Sequence, residues 1–146
     1  MPNRAIIKII QQRSFLTSTP EKSVRAVAAH MRDNNEAAVL VVDPDDGHLL
    51  GIVTERDLTF KVLAAGLDPH TTPIRSVMTA NPQSIGPDKP FAHALHLMHE
   101  GGFRHMPVVM ADGRPIGVLS ARDALGLELF AFGHELEQRE ALTEIL

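Results

Sequence analysis

The segment Gly51-Ile52-Val53-Thr54-Glu55-Arg56-Asp57-Leu58 returns 66 positions later as Gly117-Val118-Leu119-Ser120-Ala121-Arg122-Asp123-Ala124. Upstream, Pro20-Glu21-Lys22 returns as Pro87-Asp88-Lys89 and Val41-Val42 as Val108-Val109, both at an offset of 67. The offset changes by one residue between Asp43 and Asp46, where a turn tolerates a change of length. A repeat of this period restricts the fold before any propensity is considered. One unit of about 60 residues buries only about 60% of the surface its unfolded chain exposes, so the two must pack together and share a core. Such packing creates clefts between the halves that are related by pseudo-symmetry.

Each repeat reads as strand, helix, strand, turn, strand, helix. In the first, Phe15-Leu16-Thr17 is a short extended opening, and Pro20 is placed at a helix start, where its missing N–H costs nothing. Val24, Val27, Ala28 and Met31 follow at helical spacing, and Asn34-Asn35 ends the helix. Ala38 to Val42 is a β-branched run, Asp45-Asp46-Gly47 a turn, and Leu49 to Val53 the partner strand. A second helix spans about Glu55 to Ala65 and stops at Gly66. The second repeat has its opening at Gln83 to Ile85 and its helical stripe at Phe91, Ala94, Leu95 and Met98. Gly101-Gly102 ends that helix, and strands follow at Met106 to Met110 and Ile116 to Leu119.

The predicted fold class is therefore α/β (α+β): two tandem β-α-β-β-α repeats related by a pseudo-two-fold axis, with a C-terminal helical extension. The predicted organisation is a first repeat at 1–66 that includes the N-terminal segment, a Pro- and Thr-rich linker at 67–81, a second repeat at 82–127, and a tail at 128–146. Leu129, Phe132, Leu136, Leu142 and Ile145 give the tail an amphipathic stripe, interrupted by Gly133. That stripe has to cover something, either an end of the chain's own core or a second copy.

Composition narrows the function classes. The chain has no cysteine, which excludes disulfides, thiolate metal sites and a cysteine nucleophile, and fits a reducing compartment. No apolar run approaches the roughly 18–20 residues of a membrane helix, and Met1 to Ile10 lacks a signal-peptide pattern, so a cytoplasmic location is expected. A net charge of −4 gives no general attraction to nucleic acid, and the only aromatics are six Phe residues. No serine sits in a nucleophile elbow and no phosphate-binding glycine loop of the Walker type is present, so catalysis is not expected.

The informative chemistry lies where the third strand of each repeat meets its second helix. Thr54 and Ser120 stand at the junction, with Asp57 and Asp123 three residues on. This is the pattern of a capping box, in which the side chains satisfy orphan backbone N–H groups. It also suits a ligand. A helix start favours phosphate, a carboxylate held there can accept both hydroxyls of a ribose diol, and Arg56 or Arg122 can hold phosphate as a fork. The two roles are compatible, because the residues can cap the helix while the cleft is empty.

Gly-apolar-apolar-[Thr/Ser]-x-Arg-Asp, occurring twice and combined with Phe103-Arg104-His105-Met106-Pro107-Val108-Val109 and Val77-Met78-Thr79, resembles a tandem pair of CBS (cystathionine β-synthase type) domains over roughly Leu16 to Leu127. The resemblance implies a disc with two clefts for adenosine-containing ligands, each cleft combining both repeats. Carried over, the first cleft joins Thr54, Arg56 and Asp57 with Ser84, Ile85, Arg104, His105 and Pro107. The second joins Ser120, Arg122 and Asp123 with Thr17, Ser18, Ala37, Ala38 and Leu40. Where the second repeat has Arg104-His105-Met106-Pro107, the first has Ala37-Ala38-Val39-Leu40, so the Thr54/Asp57 cleft is expected to be the better phosphate site.

The family resemblance further implies a regulatory module with no required cofactor. Its ligand would be an adenosine nucleotide (AMP, ADP or ATP) or S-adenosylmethionine, and its partners a second copy in a homodimer and a separate effector protein. A ligand-free interaction scaffold is the alternative. His93, His96 and His99 recur three apart on one helix, a spacing that can hold a metal, but Phe91, Leu95 and Met98 define the buried side and a solvated or subunit-facing role is expected.

Overall fold

Both repeats are built on an antiparallel strand pair with the same register. The computed structural model describes residues 4–145. In chain order the elements are α1 (Ile6–Ile10), β1 (Thr17–Ser18), α2 (Val24–Asn34), β2 (Ala38–Val42), β3 (Leu49–Thr54) and α3 (Glu55–Asp57), which continues as a π-helical segment, Leu58–Leu63. A 3₁₀ turn at Ile74–Ser76, β4 (Thr79–Ala80), α4 (Phe91–Gly101), β5 (His105–Val109), β6 (Pro115–Ser120) and α5 (Arg122–Ile145) follow. Ala38 pairs with Thr54 and Val41 with Gly51; His105 pairs with Ser120 and Val108 with Gly117. Both pairs slip register at the same place, between Val41 and Val42 and between Val108 and Val109. The turns after these strands, 43–48 and 110–114, differ by one residue, which is the one-residue change in repeat offset.

Strand period explains the layers. Val39, Val41 and Val53 pack with Val24, Val27 and Met31 of α2, so the odd positions of β2 face their own helix. Ala38, Leu40 and Ile52 point the other way and pack with Phe15 and with Val118 of the second repeat. Thus β2 is buried on both faces, and its second face is the seam between repeats. Pro107, at the position equivalent to Leu40, is likewise fully buried.

Helix ends follow side-chain chemistry. α2 begins at Val24, four residues after Pro20, because the Ser23 side chain accepts from the Ala26 N–H (3.1 Å). Pro20 lies in a turn whose carbonyl accepts from Arg75 N–H (3.1 Å). Asn35 (φ 53°) and Gly102 (φ 71°) take the left-handed conformation that stops α2 and α4. After Asp57 the expected α-helix widens. The Thr59 hydroxyl donates to the Glu55 carbonyl (3.1 Å), and Ala64 N–H reaches back five residues to Thr59 O (2.9 Å).

The N-terminal segment packs on the second repeat, not on the first with which sequence order groups it. Ile6 and Ile10 join Ile85, Phe91, Ala94, Met98, Met106, Val108 and Leu119 in one cluster. The backbone shows why. Ile6 and Ile7 N–H donate to Lys89 O (3.0 Å) and Pro87 O (2.9 Å), and Phe91 N–H to Arg4 O (2.8 Å). Sixty-eight residues along, Ile74 and Arg75 N–H donate to Lys22 O (2.8 Å) and Pro20 O (3.1 Å), and Val24 N–H to Thr72 O (2.9 Å). So α1 does for the second repeat what the linker does for the first. The motif glycines make room for both: a Cβ at Gly51 would meet Met78 Sδ at 2.5 Å, and one at Gly117 would meet Ile10 Cβ at 3.0 Å.

The last helix runs unbroken from Arg122 to Ile145, joining the second repeat's final helix to the tail. Leu136 and Leu142 are exposed, while the burial of Leu129, Phe132 and Ile145 lies outside the described side chains. Among the described residues no helix is long and apolar enough to cross a membrane.

Because Ile6 is fully buried against the second repeat, Ile6→Ala is expected to cost about 2–5 kcal/mol. Urea unfolding measures this, and a cost near zero would show that α1 is dispensable.

Candidate functional site

Two cavities lie where the repeats meet. The first, about 680 Å³, is lined by Thr54, Glu55, Arg56, Asp57 and Phe60 from the first repeat, Thr79 from β4, and Pro82, Gln83, Phe103, Arg104 and His105 from the second. The other, about 850 Å³, is lined by Ser120, Ala121, Arg122 and Asp123 from the second repeat, by Phe15, Leu16, Arg32, Glu36, Ala37 and Ala38 from the first, and by Arg13.

One backbone bond in each repeat puts the junction there. Glu55 N–H donates to Ala37 O (3.1 Å), and Ala121 N–H to Arg104 O (2.9 Å). Each carboxylate then reaches back over its junction. Asp57 Oδ2 accepts from the Thr54 N–H (2.9 Å) and hydroxyl (3.2 Å), and Asp123 Oδ2 from the Ser120 N–H (2.9 Å). Both are acids of the capping-box type. Their cation partners differ. Asp57 pairs with Lys61 one turn along its own helix (3.0 Å), and Lys61 Nζ also donates to Val77 O (3.2 Å). Asp123 receives both arms of the Arg13 guanidinium, at 2.7 and 3.0 Å.

Among the residues expected in the first cleft, Thr54, Arg56, Asp57, Arg104 and His105 come together around the cavity, and Ser84, Ile85 and Pro107 do not line it. In the second, Ser120, Arg122, Asp123, Ala37 and Ala38 meet, and Thr17, Ser18 and Leu40 do not line it. Strand geometry is the reason. Leu40 and Pro107 point into the seam, Ile85 is buried beside Val108, and Ser18 turns its hydroxyl to Thr19 O (3.0 Å). The chain borders the cavities at Phe15-Leu16, just before β1, and at Pro82-Gln83, which are equivalent at the repeat's own offset of 67; the opening strand expected at Gln83 to Ile85 is reduced to one bridge, Ile85 to Val108.

Arg104 and His105, expected in the first cleft, border both cavities, as does Glu55. Desolvation holds the half-buried His105 imidazole below its usual pKa, against the pull of Glu55 and Asp123. Arg56 lies over the Phe60 ring, 4.6 Å from its centroid. His93, His96 and His99 are exposed on α4, and His96 pairs with Glu100 (3.2 Å). Asp43, Asp46 and His48 offer ligand atoms within 4.8 Å of one another at the β2–β3 turn, where Asp43 Oδ1 already accepts from the Asp45 N–H (2.8 Å).

Comparison with known proteins places this geometry. Residues 8–64 and 74–129 each match the CBS domain family. The chain belongs to that family. A CBS domain-containing protein of Arabidopsis thaliana is 38% identical over 104 residues, 71% of this chain, which spans only 19% of that protein's length. The CBS domain pair of protein MJ0100, solved with 5-methylthioadenosine and S-adenosyl-L-methionine, is 25% identical with a TM-score of 0.78, covering 92% of this chain and 99% of that one. A CBS domain protein of Pyrobaculum aerophilum complexed with AMP is 25% identical with a TM-score of 0.77, covering 88% and 99%. The tandem CBS pair is thus the architecture of this protein, and α5 continues past the second matched segment to Ile145.

A titration follows from His105. Its folded pKa lies below the unfolded value, so below about pH 6.5 the unfolded chain takes a proton that the folded chain resists. Stability contributed by the neutral ring is present above that pH and is lost as pH falls toward the folded pKa. The stability difference between wild type and His105→Gln should therefore shrink between about pH 8 and about pH 5 in parallel urea titrations. A difference independent of pH would contradict the desolvated ring.

Proposed function

We propose that this protein is a non-enzymatic regulatory module that binds an adenosine nucleotide in the clefts between its repeats and passes the signal to a separate protein. The observation that carries the reading is the position of Asp57, which stands with Arg56, Arg104 and His105 at a cavity walled by both repeats. The carboxylate suits a ribose diol, and two arginines and an imidazole suit phosphate. AMP, 5-methylthioadenosine and S-adenosylmethionine in the solved relatives support the ligand class. AMP, ADP and ATP fit the basic groups best. A ligand that touches both repeats favours the closed arrangement of the seam, and that population shift is the signal.

Output requires a surface. Phe60 (56% exposed), Leu63 (78%) and Leu125 (59%) leave apolar area on the helices that begin at the two junctions, and Leu136 and Leu142 continue it along α5. A homodimer would cover such area. An effector reading the dimer would sense cleft closure through the same helices. Because the chain spans a small part of its curated Arabidopsis relative, the effector function is that of a partner or of a protein that carries such a pair.

Thermal unfolding with nucleotide tests the module. At 100 times the dissociation constant, AMP should stabilise the fold by about 2.7 kcal/mol. An interaction scaffold with no nucleotide site gains nothing. Asp57→Asn should weaken calorimetric AMP affinity at the first cleft about tenfold, the scale of one charge-assisted hydrogen bond. Equal affinity in the variant would remove Asp57 from the site.

A further inference from the structure

The two clefts share a motif but not the state of its acid, and the difference comes from the N-terminal segment. Arg13 Nη1 and Nη2 donate to Asp123 Oδ1 and Oδ2 at 2.7 and 3.0 Å, and Nη2 also donates to Val118 O (3.3 Å). The bridge spans 110 residues of sequence. It raises the pKa of Arg13, chiefly through the hydrogen bond to Asp123. Both carboxylate oxygens that a ribose diol would use are thereby held by one planar guanidinium; the Asp123 and Asp57 side chains are equally accessible, at 13%, so the difference lies in the partner and not in exposure. Arg13 itself keeps 41% of its side chain exposed and lines the cavity, so its guanidinium can turn into it.

Among the described residues no guanidinium holds Asp57 in this way. At the offset of 68 that relates α1 to the linker, Arg13 corresponds to Asn81, between Ala80 and Pro82. The Lys61 pair with Asp57 is a single contact from the adjoining helical turn.

We infer that Arg13 sets the ligand preference of the second cleft by trading Asp123 for an anionic group of the ligand. This rests on the nucleotide-binding reading and deepens it. A neutral nucleoside that takes Asp123 leaves the guanidinium with no bidentate anion, over a cavity bordered by Arg32, Arg104 and Arg122, with Glu36 and Glu55 as the remaining acids. A nucleotide offers its phosphate as the replacement anion, which the planar fork can receive in bidentate fashion. The second cleft therefore selects phosphorylated over unphosphorylated adenosine ligands, and its filling releases the segment between α1 and β1 from the second repeat.

The test is calorimetric titration of AMP and of adenosine into Asp57→Asn, which weakens the first cleft, and into the same chain carrying Arg13→Gln or Arg13→Lys. AMP should bind the Asp57→Asn chain at least about tenfold tighter than adenosine. Arg13→Gln should erase most of that preference by strengthening adenosine, and Arg13→Lys, which keeps the charge, should retain part of it. An AMP-to-adenosine ratio unchanged by Arg13→Gln overturns the inference and leaves the nucleotide reading intact. So does a chain that binds AMP as wild type but neither ligand as Asp57→Asn. Wild-type protein that binds neither ligand overturns both. Unfolding temperatures of the two Arg13 variants verify that each is folded before it is scored.

Discussion

The clefts depend on the seam formed by the faces of β2 and β5 that turn away from their own helices. Leu40 and Pro107 lie on those faces and are fully buried. Ala38, Leu40 and Ile52, with Phe15 of the same repeat, meet Val118 across the boundary, so neither repeat can bury its sheet without the other. The hydrophobic effect that closes the seam also determines where it ends, because Ala38 and His105, two residues before Leu40 and Pro107, stand where apolar contact gives way to cavity. At these edges both junctions present a carboxylate, a hydroxyl and an arginine.

Pseudo-symmetry reaches further than the motif but stops short of the acid's partner. The sheets share register and bulge, the junctions share a backbone hydrogen bond, and α1 repeats the linker's bonds to the Pro-x-Lys turn. What differs is the side chain that follows each packing element. After the linker comes Asn81, and after α1 comes Arg13 with its hold on Asp123. A duplicated scaffold therefore carries two clefts whose acids start from different states. Arg104, His105 and Glu55 border both, so charge placed in one cleft is felt at the edge of the other.

The strands, both first helices and the junctions were legible in the sequence because each rests on a local pattern. Short apolar, β-branched runs mark β2 and β5, helical spacing marks Val24 to Met31 and Phe91 to Met98, and Asn35 and Gly102 mark helix ends. Pro20 misleads as a helix start because a proline fits a turn equally well, and Ser23 supplies the cap that decides the matter. Among the site residues, the Thr/Ser and Asp of each junction sit at a cavity, whereas Ile85, Pro107 and Leu40 have the right neighbours in sequence and the wrong face of the strand.

What the sequence determined is the doubled architecture, its membership of the CBS family and the acids at the two helix starts, since these follow from repeat period, short-range periodicity and a local motif. Tertiary structure decided which repeat α1 serves, which side chains face the cavities, and that Arg13 reaches Asp123 across 110 residues. Nothing in a linear pattern encodes a contact between segments so far apart. It arises only when burial of Ile6 and Ile10 docks the N-terminal helix on the second repeat and carries the arginine to the mouth of its cleft.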